Sequence, residues 1–238
     1  MTAHTIATED AIRWLRALPS ASVDLVLTDP PYASGGFNES GRKAGSSDSR
    51  SMPWLMGDAL STMAMAHLIR EVALECRRVV KPGGAMNLFG DWKMLPVVPP
   101  VVESAGWRYR AMIVWDKEHF GQAQGWMPQH ECVMHFADSS TRYSAHLANV
   151  IRCKRVRSLE RDHVTQKPVD LLMALMRPNL AAGGIVADPF AGSGSLIEAA
   201  DRLGATAWCC DADPAHLPAM KRRAEGAGIA QALDLGAT

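Results

Sequence analysis

Between Gly184 and Asp211 the chain reads as one compact unit. A short apolar strand, Ile185-Val186-Ala187, ends on Asp188; a turn carrying Gly192 and Gly194 follows, then a helix from Ser195 to Leu203, a strand from Thr206 to Cys210, and the acid Asp211. Two strands joined through a helix run parallel, and parallel strands persist inside a sheet covered by helices on both faces. Glycine after Asp188 admits positive φ and lets backbone approach a ligand closely. The following helix aims unpaired N–H groups at the same crevice. Asp211 stands about 20 residues beyond the glycines, the spacing at which a carboxylate accepts hydrogen bonds from ribose hydroxyls. A nicotinamide dinucleotide satisfies that spacing, but Asp188 would repel its pyrophosphate. S-adenosylmethionine, an adenosine with a sulfonium and an α-amino group, gives both acids a partner.

The rest of the chain repeats the alternation. Ile12, Leu15 and Leu18 have helical spacing, and Val23 to Thr28 is a buried strand running into Asp29-Pro30-Pro31-Tyr32. Leu68, Val72, Cys76 and Val79 share a helical face that Lys81-Pro82-Gly83-Gly84 terminates. Strands are expected over 85–89, 108–115 and 132–137, a Pro-rich helix start over 95–105, and a helix carrying Val169, Leu172, Met173, Met176 and Leu180. The expected fold is α/β, a mostly parallel Rossmann-like sheet with helices on both faces. At 238 residues and 47% apolar content, one catalytic domain over 1–238 is the economical organisation.

Residues 33–51 are rich in glycine, serine and charge, without apolar periodicity, and read as a mobile loop beside the tetrapeptide. The five cysteines include no Cys-x-x-Cys pair and no cluster with histidine, so no metal is expected and the thiols are read as reduced. Neither a secretory leader nor a long apolar run is evident, which points to the cytoplasm. Formal net charge is +0, so attraction to a polyanion has to come from local asymmetry. Such asymmetry occurs at Arg152, Lys154, Arg155, Arg157 and Arg161, opposed there only by Glu160. The stretch is either a solvated charged face or a phosphate-contacting segment.

A carboxylate followed by two prolines at a strand end suits a particular chemistry. The exocyclic amine of a nucleobase is a poor nucleophile because its lone pair is delocalised into the ring. Asp29 can accept one amino hydrogen and the Pro30 carbonyl the other, localising that lone pair and aiming it at a methyl donor. Proline has a fixed φ and no N–H, and Pro31 restricts Pro30 to extended geometry. Tyr32 can stack on a base taken out of a duplex. Removing a proton from the neutral amine is beyond a carboxylate of ordinary pKa, about 4. Methyl transfer therefore comes first, after which Asp29 or solvent takes the proton. Alone, the tetrapeptide could also be a turn.

Together these segments resemble the amino-methyltransferases of DNA that make N6-methyladenine or N4-methylcytosine. The resemblance is carried by residues 23–32, Val80-Lys81-Pro82-Gly83-Gly84, Ile113-Val114-Trp115-Asp116-Lys117, Thr165-Gln166-Lys167-Pro168 and the loop from Asp188 to Ser195. With the tetrapeptide ahead of the cofactor loop, the order is similar to the circularly permuted β group. The resemblance implies that Asp188, Phe190, Gly192 and Gly194, in a loop closed by Ser195, line the methionine side of S-adenosylmethionine. It also implies that Asp211 holds the ribose, Asp10 lies near the adenine, and Thr165 and Lys167 hold the methionine carboxylate. As a residue type, Lys167 is a counter-charge for that group or a solvated lysine ahead of a helix. Glu9 stands where the family commonly has glycine, and Asp211 where glutamate is more usual.

In this family the target-recognition region falls between Trp115-Asp116-Lys117 and Thr165, here approximately 118–164. Tyr143, His146, Asn149, Arg152, Lys154, Arg155 and Arg157 are the candidates for contact with double-stranded DNA, joined by Arg42 and Lys43 from the loop. So small a recognition element implies a homodimer; an associated restriction nuclease is left open. Aspartate at the head of the tetrapeptide leans toward adenine, since the cytosine enzymes more often resemble Ser-Pro-Pro-Tyr. Transfer to cytosine N4, to RNA or to a protein amide is the alternative chemistry, and a non-catalytic DNA-binding module the alternative class.

Overall fold

The computed structural model describes residues 4–31, 61–121, 125–156, 166–226 and the backbone of 230–232. Tyr32, the 33–51 segment with Arg42 and Lys43, and Arg157 and Thr165 lie outside the described residues.

The described strands form a nine-stranded sheet. They are β1 (His4–Thr8), β2 (Val23–Thr28), β3 (Val80–Gly90), β4 (Arg108–Asp116), β5 (His130–Ala137), β6 (Val150–Arg152), β7 (Ile185–Asp188), β8 (Thr206–Asp211) and β9 (Ala230–Ala232), in the spatial order β6-β4-β5-β3-β2-β7-β8-β1-β9. Strand β5 is antiparallel to β3 and β4, while the other pairs are parallel.

Both faces are buried. Helices α1 (Ala11–Ala17), α2 (Thr62–Val79) and α3 (Val98–Glu103) cover one face, where Trp14, Leu15, Ile69, Val72 and Val102 pack on Val26, Met86, Leu88 and Phe136. Helices α4 (Val169–Met176), α5 (Ser195–Arg202) and α6 (Leu217–Gly226) cover the other, packing Leu171, Leu175, Ile197 and Met220 on Leu25, Leu27, Phe89 and Val186. Alternate residues of β2 thus serve opposite cores, as period-2 side-chain direction requires. Each fully buried large aliphatic or aromatic side chain contributes about 1.5–3 kcal/mol.

Strands β2 and β7 are neighbours, with Val26 opposite Ala187. From β2 the chain crosses through α2 to β3 on one side; from β7 it crosses through α5 to β8 on the other. The winding therefore diverges between β2 and β7, and the crevice outside their carboxyl ends is where open α/β sheets bind ligands. Asp29 and Asp188 stand at those two ends.

Three elements depart from the sequence reading. Helix α2 ends at Val79 and β3 starts at once, so Lys81-Pro82-Gly83-Gly84 belongs to an irregular strand start, not a helix stop; a β carbon on Gly84 would lie 2.5 Å from the Asp24 carbonyl oxygen. Strand β1 is short and carries polar residues, yet His4 is buried and its Nδ1 accepts the Ala207 N–H at 3.0 Å. Strand β6, in text that reads as irregular, pairs with the end of β4. Each is stabilised by partners distant in sequence, which local periodicity does not report.

Candidate active site

Thr28 joins the two halves of the crevice. Its Oγ1 donates to Asp188 Oδ1 at 2.6 Å, and Asp188 also accepts the Phe190 N–H at 3.0 Å. Burial pushes the Asp188 carboxyl up to about 7, neighbouring Asp29 and Asp211 add to the rise, and the two hydrogen bonds oppose it. A buried acid so placed is matched to a cationic or amine-bearing ligand.

The loop after Asp188 is tied to the second acid. Gly192 N–H donates to Asp211 Oδ2 at 2.7 Å, and Ala191 N–H donates to the Cys210 carbonyl at 2.9 Å. Gly192 and Gly194 have φ of +51° and +77°, and a β carbon on Gly194 would stand 2.9 Å from Met220 Cγ. Alanine at Gly194 is therefore strained by both backbone and packing. Helix α5 starts at Ser195, and Arg223 Nε braces the turn by donating to the Ser193 carbonyl at 3.0 Å.

Asp211 Oδ1 accepts the Asp213 N–H at 2.9 Å and lies 2.9 Å from His216 Nδ1. Burial works against its charge, but His216 and the two N–H groups outweigh it and hold the carboxyl below its usual range. The same contact raises the His216 imidazole above its ordinary value, burial opposing. Asp10 caps α1, its Oδ1 accepting from Ile12 and Arg13 N–H at 3.1 and 3.0 Å. Glu9 N–H donates to the Asp211 carbonyl at 3.2 Å, which brings the 9–10 pair beside the end of β8.

On the β2 side, Asp29 Oδ2 accepts from Lys167 Nζ. Lys167 Nζ also stands 3.4 Å from Glu131 Oε2 and 4.9 Å from the centre of the Phe89 ring. The lysine is buried, which disfavours its charge, yet the Asp29 and Glu131 carboxylates hold its ammonium above the ordinary lysine value. Two acids, Asp29 and Glu131, thus share the Lys167 charge, the group that the resemblance assigns to the methionine carboxylate. Pro30 and Pro31 adjoin an apolar recess with Ile69, Leu88, Phe89 and Met94 in its lining.

The candidate DNA contacts divide by position. Arg152 pairs across from Asp116 at the carboxyl end of β4, its Nε 3.8 Å from Asp116 Oδ2, and Lys154 and Arg155 follow, exposed at the same end of the sheet as Asp29. Tyr143 lies apart from this group. Its hydroxyl lies 2.9 Å from His135 Nε2, and the adjoining chain is fixed at the opposite end of the sheet, where Thr141 Oγ1 donates to the Gly84 carbonyl. Asn149 is exposed and donates to the Met112 carbonyl at 3.1 Å. His146 is exposed. We expect Tyr143→Phe to cost about 0.5–1.5 kcal/mol of stability in urea unfolding and to leave DNA affinity unchanged.

A profile of the DNA methylase family matches residues 23–222, a span containing both the Asp29 end and the Asp188–Asp211 loop. The chain belongs to that family, the β class of S-adenosylmethionine-dependent DNA amino-methyltransferases. It is 25% identical over 240 residues to the type II methyltransferase M.HpaI of Haemophilus parainfluenzae, covering 90% of this chain and 72% of the relative. It is 26% identical over 227 residues to the DNA adenine methyltransferase YhdJ of Escherichia coli, covering 80% and 72%. In fold it matches TTHA0409 of Thermus thermophilus complexed with S-adenosyl-L-methionine, with a TM-score of 0.71, 21% identity and coverage of 98% and 100%. It also matches the cytosine-N4-specific PvuII DNA methyltransferase, with a TM-score of 0.72, 15% identity and coverage of 94% and 86%.

For such a methyltransferase the expected Rossmann-like, permuted sheet is the one observed. Among the described helices, none is long and apolar enough to cross a membrane. Thr28, Glu131 and His216 were missed by sequence reasoning. Glu131 carried a faint signal, an acid at the start of an otherwise apolar strand; Thr28 and His216 acquire significance only through their tertiary partners.

Proposed function

We propose that the chain methylates adenine N6 in double-stranded DNA. The supporting observation is Asp29 and Pro30 at the end of β2, beside a crevice whose other wall is the Asp188 loop, with Thr28 bonded across it. When bound, S-adenosylmethionine supplies an electrophilic methyl group. Asp188 faces its ammonium, Phe190, Gly192, Gly194 and Ser195 line the methionine side, Asp211 meets the ribose, and Asp10 lies toward the adenine, with Thr165 toward the carboxylate. Asp29 and the Pro30 carbonyl accept the two amino hydrogens, Pro31 fixes Pro30, and Tyr32 stacks on the flipped base. Arg152, Lys154 and Arg155 provide phosphate or base contacts at this end of the sheet, with Arg42, Lys43 and Arg157 as further contacts.

Adenine is favoured over cytosine N4 by the aspartate at the head of the tetrapeptide, in keeping with the relative named an adenine methyltransferase. Incubation with labelled cofactor and mixed-sequence duplex DNA, followed by nucleoside mass spectrometry, should yield N6-methyladenine. N4-methylcytosine as the sole product would reverse the choice of base; efficient transfer to RNA or a protein glutamine, with none to DNA, would reverse the choice of substrate. A homodimer completes the reading, because the recognition segment is too short for one copy to surround a duplex. Ultracentrifugation at micromolar concentration with cofactor and DNA should detect it, and a monomer throughout would refute it.

A further inference from the structure

Asp29, Lys167, Glu131 and Lys117 form a line of alternating charge drawn from four parts of the fold. Asp29 follows β2, Lys167 precedes α4, Glu131 is in β5, and Lys117 follows β4. Lys167 Nζ bonds Asp29 Oδ2 and stands 3.4 Å from Glu131 Oε2; Lys117 Nζ is 3.5 Å from Glu131 Oε1. Backbone anchors Lys117, whose N–H donates to the Gln129 carbonyl at 2.9 Å. Glu131 Oε2 is buried and has no hydrogen bond of good geometry, so the Lys167 ammonium is its electrostatic partner.

The arrangement sets a competition. Asp29 can polarise an amino group only with an oxygen that has acceptor strength to spare, and an ammonium bound to that carboxylate consumes it. A second carboxylate on the far side of the ammonium draws it back. Phe89, beneath Lys167, keeps the cation in a partly apolar slot where these attractions are weakly screened.

We propose that Glu131 is a positioning residue for methyl transfer: by sharing the Lys167 ammonium with Asp29, it keeps the Asp29 carboxylate available to the target amino group. Resting on the amino-methyltransferase reading above, the inference holds for adenine or cytosine alike, because both present an exocyclic amine.

The test is a double-mutant cycle on the full chain, read as kcat, DNA KM and cofactor Kd. Glu131→Gln keeps the shape and removes the charge. It should lower kcat about tenfold or more while KM and Kd stay within about threefold, since the interaction concerns the reacting amine. In the Lys167→Met background the same change should cost less than about twofold, because the ammonium through which Glu131 acts is gone. Glu131→Asp, retaining the charge on a shorter arm, should restore part of kcat and provides the measurement if the glutamine variant folds poorly. An unchanged kcat in both Glu131 variants, or the full loss persisting in the Lys167→Met background, would overturn the proposal. Wild-type protein that transfers no methyl group to DNA would instead overturn the underlying reading, and this inference with it.

Discussion

Asp29→Ala is expected to reduce single-turnover methyl transfer to duplex DNA by about 10³-fold or more while cofactor Kd changes by less than about threefold. The size follows from the role proposed for the carboxylate: as one of two fixed acceptors that localise a delocalised lone pair, it is a preorganised group whose deletion costs about 10²–10³ in rate. Losing a charge that also orients the reacting nitrogen adds to that. Cofactor binding is spared because the ligand's amine and ribose are assigned to Asp188 and Asp211, on the other strands. The fold should survive, since Asp29 is partly exposed and Lys167 retains Glu131 as a partner. Asp29→Asn should fall between the two, because an amide keeps one acceptor oxygen without the charge. Transfer by Asp29→Ala at a rate comparable to wild type would remove the tetrapeptide from the chemistry.

The second large effect concerns Asp188 and has a pH signature. In the proposed role only the ionised carboxylate attracts the cofactor ammonium, and burial pushes this group up to about 7. Cofactor affinity should therefore weaken as pH falls through about 7, approaching tenfold per pH unit below it, and level off above. The stability of the free protein is expected to follow the opposite trend for the same reason. A carboxyl raised in the folded state binds its proton more tightly than in the unfolded chain, so this group's contribution to stability falls as pH rises from the ordinary carboxylate range to about 7. Thermal shifts should therefore show greater stabilisation by cofactor at pH 8 than at pH 6. Asp188→Asn should lose about 10²-fold in affinity and abolish the pH dependence, by calorimetric titration. A flat profile in the wild type would remove Asp188 as the ammonium partner.

His135 carries a smaller dependence of the other sign. Burial and the Arg110 charge lower its imidazole to about 4, while Asn87 and Tyr143 hold its two ring nitrogens. Above the ordinary histidine range the ring is neutral in both states. As pH falls from there toward 4 the unfolded chain takes up a proton that the folded one refuses, and stability declines.

How much of this was legible in the chain varies with the range of the interaction. Strands β2, β7 and β8 and helix α5 announce themselves because their apolar runs and glycine punctuation are local. Buried Trp14 and the short strands β1 and β6 do not, since their places depend on distant partners. The same division runs through the site. Asp29, Asp188 and Asp211 stand out as acids at strand ends, whereas the pairing of Lys167 with two acids is invisible in the motif because sequence order keeps those acids far away. The Tyr143 hydroxyl is a similar case: its partner His135 belongs to a strand whose neighbours the local sequence does not reveal.

The sequence by itself determined the chemical vocabulary: a βαβ unit with acids at both strand ends, and a carboxylate before two prolines, because those are properties of neighbouring residues. Only the tertiary structure decided that the two lie together. The winding reverses between β2 and β7, and this reversal sets Thr28 against Asp188 from 160 residues away and places Lys167 between Asp29 and Glu131. Electrostatic pairing depends on distance in space, and strand order, which no local pattern encodes, sets that distance.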